Sequence, residues 1–212
     1  MELINPLAEQ YAGAYTSPDE ALLQEICDWT MSNHKESIML SGHVQGKLLQ
    51  MISAMIKPRR ILEIGTFTGY SALSLASGLT ADGLLHTIEL REEDAGRAQA
   101  YFDRSVYKNQ IRLHRGNAAE IIPTLEEDWD LVFIDADKPG YINYFNLVFP
   151  SLRKNGFILA DNIFFHGQVF DQPVKGKSAI GIQAFNDFIK ERTDIEKLVL
   201  TIRDGLYLIR KL

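Results

Sequence analysis

From Pro58 onward the chain alternates short, unbroken apolar runs with amphipathic stretches, and no other feature of its 212 residues constrains the fold as tightly. The runs are ILEIG (61–65), LLHTIEL (84–90), IRLHRG (111–116), DLVFIDA (130–136) and GFILAD (156–161), with helical periodicity between them at about 69–78, 92–105, 118–125 and 140–151. Runs of this length suit strands buried on both faces. Strands separated by helices imply a parallel sheet with helices on either side. A last helix over about 178–192 precedes KLVLTI (197–202), the turn Arg203-Asp204-Gly205 and LYLIRKL. Two strands joined by a tight Asp-Gly turn form a hairpin, which makes the last strand antiparallel. The expected architecture is α/β: a doubly wound, Rossmann-like sheet of seven strands, mostly parallel.

Upstream of Pro58 the pattern is helical. Ser17-Pro18-Asp19-Glu20 reads as a helix start, with Ser17 as N-cap and Glu20 closing a capping box. A second helix, His43 to Ile56, stops at Lys57-Pro58 because the residue before proline is pushed out of the helical region. No repeat or Gly/Ser-rich linker divides the chain. The reading is one domain, 1–212, with an N-terminal helical extension (1–57) laid over an α/β core (58–212). A single cysteine, Cys27, excludes an internal disulfide scaffold and points to a reducing, cytoplasmic compartment. The N-terminal stretch lacks a signal peptide's basic start and apolar core, and no apolar run is long enough for a membrane span. The net charge of −6 disfavours a broad nucleic-acid footprint.

The first strand leads into Ile64-Gly65-Thr66-Phe67-Thr68-Gly69-Tyr70-Ser71. In a doubly wound sheet this turn lies at the switch point, where ligands bind. Gly65 is expected to let a ligand approach the backbone, Gly69 to permit a tight turn, and Ser71 to offer a hydroxyl. The dinucleotide pattern G-x-G-x-x-G is broken, because Glu63 stands where its first glycine would be. A carboxylate there repels a pyrophosphate and suits an ammonium group. Glu89 closes the second strand, 24 residues after Gly65, placed to accept hydrogen bonds from ribose hydroxyls. An adenosine ligand without a pyrophosphate follows, and S-adenosylmethionine fits.

A second group of polar residues closes the fourth and fifth strands: Asp135, Asp137 and Lys138 in LVFIDADK, and Asp161-Asn162 in FILADN. The ends of neighbouring parallel strands converge. The oxygens of Asp135, Asp161 and Asn162 favour a hard cation, Mg²⁺ foremost, with Mn²⁺ or Ca²⁺ as alternatives. Lys138 beside such a site, partly desolvated, is expected to have a lowered pKa and to take a proton from a nearby hydroxyl.

With these blocks in view, the chain resembles the cation-dependent O-methyltransferases of the caffeoyl-CoA and catechol type, within the class I S-adenosylmethionine-dependent fold. The likeness runs nearly end to end, through YAGAYTSPDEALL, MLSGHVQGKLL, RRILEIGTFTGYSALSLA, GNAAEIIPTL, LVFIDADKPGYINYF, RKNGFILADNIFFHG and DGLYLIRKL. It implies that Asp135, Asp161 and Asn162 hold a divalent cation and that Lys138 is the general base. Glu63, Gly65, Ser71, Glu89, Ala118 and Asp135 are then expected at the cofactor, with Met39-Leu40-Ser41 folded over it. It also implies a homodimer. The two oxygens of a vicinal diphenol would share the cation, and the deprotonated oxygen would attack the sulfonium methyl in line.

His166 stands where relatives vary, and 168–178 reads as a substrate lid onto which the plant enzymes' coenzyme A contacts do not map. The expected acceptor is therefore a small phenol. The alternative is a hydroxylated uridine in transfer RNA, for which the basic spots at 57–60, 112–115 and 175–177 would serve. The remaining histidines show no metal-binding spacing. Tyr141, Tyr144, Phe145 and Phe149 read as core, and Phe164, Phe165 and Phe170 as candidates for stacking on the acceptor.

Overall fold

In the computed structural model, which describes residues 3–212, the apolar runs become β1 (Arg60–Ile64), β2 (Leu84–Glu89), β3 (Ile111–Arg115), β4 (Trp129–Ile134), β5 (Leu152–Asp161), β6 (Ile195–Leu200) and β7 (Leu206–Lys211). They pair in the order β3-β2-β1-β4-β5-β7-β6. The first five are parallel, and β7 runs antiparallel to both β5 and β6. The strand order reverses between β1 and β4, so the crevice beyond their C-terminal ends is the switch point of the sheet. Met1 and Glu2, part of the stretch read above for a leader, lie outside the described residues.

Alternation along each strand divides the apolar residues between two cores. Leu62, Ile64, Val132, Ile134, Ile158 and Ala160 face α7 (Tyr141–Val148) and α8 (Lys177–Glu191), whose Phe145, Ile182 and Phe185 complete that core. Ile61, Leu131, Phe133 and Leu159 face the other way. There they meet α2 (Ala21–Asn33), α3 (His43–Ile56), α4 (Tyr70–Ala76) and α5 (Glu92–Arg104). The shortest helix, α6 (Ala118–Ile121), follows β3, and α1 (Pro6–Tyr15) opens the chain. No helix among the described residues is long and apolar enough to cross a membrane.

Three local expectations are corrected. The capping box at Ser17 does not form: 17–20 is irregular, and α2 begins at Ala21 after an N-cap Glu20 that makes no side-chain cap. Asp19 is turned inward instead, accepting from the Tyr70 hydroxyl at 2.5 Å and sitting 3.0 Å from His43 Nδ1. The hairpin loop is longer than expected, five residues separating β6 from β7, although the turn at Arg203-Asp204 forms, with Gly205 N–H donating to Ile202 O at 2.8 Å. The backbone of this loop pairs with the chain leaving β5, Phe164 N–H donating to Asp204 O and Ile163 N–H to Gly205 O. Those bonds hold it open. Finally, the first helix of the 1–57 extension lies before Ser17: α1 is started by Asn5, whose side chain accepts from Leu7 N–H.

Candidate active site

β1 ends against β4. Gly65 has φ +97°, and a Cβ built there would lie 2.0 Å from the carbonyl oxygen of Asp135. The passing backbone after β4 and the positive φ both require glycine here, and Gly65 also lines the cavity. Past this crossing opens a cavity of about 760 Å³, within the range of small-molecule sites.

At one end of the cavity Glu89 is held by backbone donors: Thr66 N–H at 3.2 Å, Phe67 N–H at 2.7 Å and Arg91 N–H at 2.9 Å. Met39, Ser41, Gly65, Ser71, Glu89, Ala118 and Asp135 all line the cavity. Seven of the eight positions expected around the cofactor are thus brought together. Glu63 is the exception. It is fully buried on the face that carries Ile61, Leu131 and Phe133, and it does not reach the wall. Thr87, its register partner, donates to Oε2 at 2.5 Å, while Oε1 has no partner. Burial pushes the carboxyl up to about 8, against the lowering effect of the Ser71 and Thr87 hydroxyls, with Asp135 and Glu89 adding repulsion. The Glu63 carboxyl is thus held above its ordinary range, beside the Ser71 hydroxyl that lines the wall.

At the other end, Lys138 Nζ donates to Asp135 Oδ1 at 2.9 Å, Asn162 Oδ1 at 2.7 Å and the Tyr141 hydroxyl at 2.8 Å. Tyr141 in turn donates to the carbonyl of Asp161 at 3.0 Å. Burial acts to lower the Lys138 pKa, but the Asp135 and Asp161 charges outweigh it and the net shift is upward. The expectation of a lowered pKa is overturned for this arrangement, because the ammonium itself is the cation bound by the oxygen donors. Asp161 is buried at the end of β5, with Oδ1 accepting from Asn162 N–H and Oδ2 from Gln45 Nε2. Burial and the Asp135 charge push its carboxyl up to about 6, against Arg203, Lys138 and Gln45.

This chemistry fits a hard divalent cation. The side chains of Asp135, Asp161 and Asn162 present only oxygen, and the Lys138 ammonium already sits between Asp135 and Asn162. Asp135 and Asn162 line the cavity, whereas Asp161 does not, its oxygens accepting from Asn162 N–H and Gln45.

Gln45, Arg203 and the Asp137–Tyr144 pair were not singled out as site residues. Tyr144, read as core, donates its hydroxyl to Asp137 at the cavity wall. Its i, i+7 spacing from Asp137 spans two helical turns and is the one signal that could have found it. Phe165 and His166 line the cavity, whereas Phe164, Phe170 and the 168–178 segment do not.

A family model described as O-methyltransferase matches residues 13–212. The catechol O-methyltransferase of Niastella koreensis is 34% identical over 160 residues, spanning 74% of this chain and 72% of that protein. Caffeoyl-CoA O-methyltransferase 2 of Populus trichocarpa is 27% identical over 85% of this chain and 78% of its own length. Among solved structures, the SAH-bound Podospora anserina methyltransferase PaMTH1 superposes with a TM-score of 0.90 at 27% identity, over 98% of this chain and 94% of that one. The SAM-bound O-methyltransferase TomG of Streptomyces achromogenes gives 0.88 at 28% identity, over 97% and 96%. Fold, cavity and these likenesses agree: the chain belongs to the O-methyltransferase family.

Proposed function

We propose that the protein transfers a methyl group from S-adenosylmethionine to a hydroxyl of a catechol-like small molecule, assisted by a divalent cation, and works as a homodimer. The observation that carries this reading is the clustering of the Asp135 and Asn162 oxygens around Lys138 in the same cavity as Glu89. The names of the relatives support methyl transfer to an oxygen of a catechol or caffeoyl-CoA type acceptor. Glu89, fixed by three backbone donors, keeps lone pairs for ribose hydroxyls. When bound, the cation supplies positive charge that stabilises a deprotonated acceptor oxygen.

Lys138 changes role with the occupancy of its partners. While Asp135 and Asn162 face Nζ, they hold its proton. Were Asp135 and Asn162 to hold a cation, Nζ would lose those partners beside an added positive charge. Both effects would lower its pKa, in the direction a general base needs. Holding acceptor and methyl donor side by side in one cavity supplies the rest, worth up to roughly 7–11 kcal/mol for well-oriented pairs.

Transfer RNA is the weaker reading. Arg59 pairs with Asp82, Arg60 with Glu127 and Arg115 with Glu92, so three of the basic residues in the 57–60 and 112–115 spots already face carboxylates.

The test is methyl transfer from labelled S-adenosylmethionine to a catechol panel, with and without chelator, beside hydroxylated transfer RNA. Catechols should be methylated only when a divalent cation is present. Asp161→Ala should lower that turnover at least about 100-fold while S-adenosylhomocysteine still binds. Full turnover in excess chelator would remove the cation from the mechanism.

A further inference from the structure

The carboxamide of Gln45 links two parts of the site that lie far apart in sequence. Gln45 is the third residue of α3 and is fully buried, and its Nε2 donates to Asp161 Oδ2 at 2.6 Å. Its Oε1 accepts from Arg203 at 3.2 Å, and another guanidinium nitrogen of Arg203 donates to the carbonyl of Ile38 at 3.4 Å. Ile38 and the three residues after it line the cavity. An unbroken chain of hydrogen bonds therefore runs from Ile38, the residue before the segment expected to cover the cofactor, to an oxygen donor at the end of β5.

A carboxamide can turn either end toward a carboxylate, but only its N–H₂ end binds there. A guanidinium has donors and no acceptor. Arg203 thus draws Oε1 to itself and turns Nε2 onto Asp161. The loop holds this arrangement against local strain. Arg203 has φ +46°, where side chains are disfavoured, and the bonds from Phe164 to Asp204 and from Ile163 to Gly205 keep it there. Ile38 and Met39 are 75% and 45% exposed, whereas Leu40 and Ser41 are buried, so the segment is anchored at its C-terminal half and only Ile38 and Met39 are loosely held.

We infer that Gln45 and Arg203 are positioning residues that orient Asp161 and couple ordering of Ile38 and Met39 at the cavity wall, beside the methyl donor, to cation binding. This rests on the cation reading above. Ordering Ile38 and Met39 fixes the Ile38 carbonyl, which fixes Arg203, which fixes the Gln45 amide on Asp161. Coupling of this kind is reciprocal, so each ligand strengthens the other by the same factor.

Calorimetric titration of MnCl₂ into the full chain, with and without S-adenosylhomocysteine, tests it. In the unmodified protein S-adenosylhomocysteine should tighten Mn²⁺ by about 5-fold or more. Arg203→Gly and Gln45→Leu should weaken Mn²⁺ by about 10-fold and leave it indifferent to S-adenosylhomocysteine. Arg203→Lys, which keeps a donor opposite Gln45, should recover part of both. Arg203→Gly relaxes the positive φ but leaves the buried Gln45 Oε1 unpaired, so Mn²⁺ is titrated at a temperature where circular dichroism shows each variant fully folded. A weakened cation site in a fully folded protein, with its response to S-adenosylhomocysteine lost, is a split that a merely structural role does not produce. Variants that bind Mn²⁺ with unchanged affinity and an unchanged response overturn the inference. An unmodified protein that binds no Mn²⁺ overturns the cation reading and the inference with it, and that result is seen before any variant is made.

Discussion

Glu63 shows how a residue's place in a strand decides its chemistry. It occupies a core-facing slot of β1, so its carboxyl is protonated up to about pH 8, whereas the unfolded chain releases that proton near 4.5. Between these values the folded state holds more protons, and stability falls as pH rises. Two other groups act lower down. Burial and the nearby His114 depress His86 to about 4, which adds stability as pH rises toward 6.5. Asp161 opposes that up to about 6. From pH 6.5 to 8 Glu63 is left to set the slope, and the ligand-free protein should lose about 2 kcal/mol there. Urea denaturation at several pH values should show this loss, and Glu63→Gln should flatten it. Parallel curves for the two proteins would rule the assignment out. The sequence marks Glu63 as the departure from a glycine pattern, and that much was legible. Its orientation was not, because period-2 alternation assigns a face only once the strand's pairing is known.

At the scale of elements, what could be read depended on how locally each was determined. Helix α3 begins and ends where its pattern and Lys57-Pro58 place it, and all seven strands form at their apolar runs. The Ser17 cap failed because Asp19 found partners in α3 and α4, a choice made by residues 24 and 51 positions away in the chain. The β6–β7 loop was likewise opened by bonds to the segment after β5. The β1–α4 turn obeys both levels at once. Its glycine is visible in the sequence, but the reason for it is the carbonyl of Asp135. Gly65→Ala would force a Cβ to within 2.0 Å of that oxygen at a φ of +97°, which separates β1 from β4 at the mouth of the site. The variant should be destabilised by about 3 kcal/mol or more, read as a lower denaturation midpoint, with S-adenosylhomocysteine binding lost. Unchanged stability would mean that the two strand ends are free to move apart.

At the scale of the whole molecule, the sheet and its two helical layers account for every helix except α1. None of its residues is buried, and Leu7, Tyr11 and Tyr15 are 74%, 62% and 75% exposed, the two tyrosines stacked on each other. A helix of 10 residues is too short to hold itself together in water, so its apolar side chains need a surface to pack on. A second copy of the chain supplies one in the proposed homodimer. Light scattering on the eluting protein should give twice the monomer mass at micromolar concentration. Deleting residues 1–16 should halve that mass while α2, α3 and the cavity persist, so that S-adenosylhomocysteine still binds. If the full chain elutes as a monomer, or the truncated chain still pairs, α1 does not hold the dimer together. If the truncated chain is monomeric and binds S-adenosylhomocysteine with unchanged affinity, the cofactor site is complete within one copy, and the helical extension divides into α1 for assembly and segment 38–41 for the cavity.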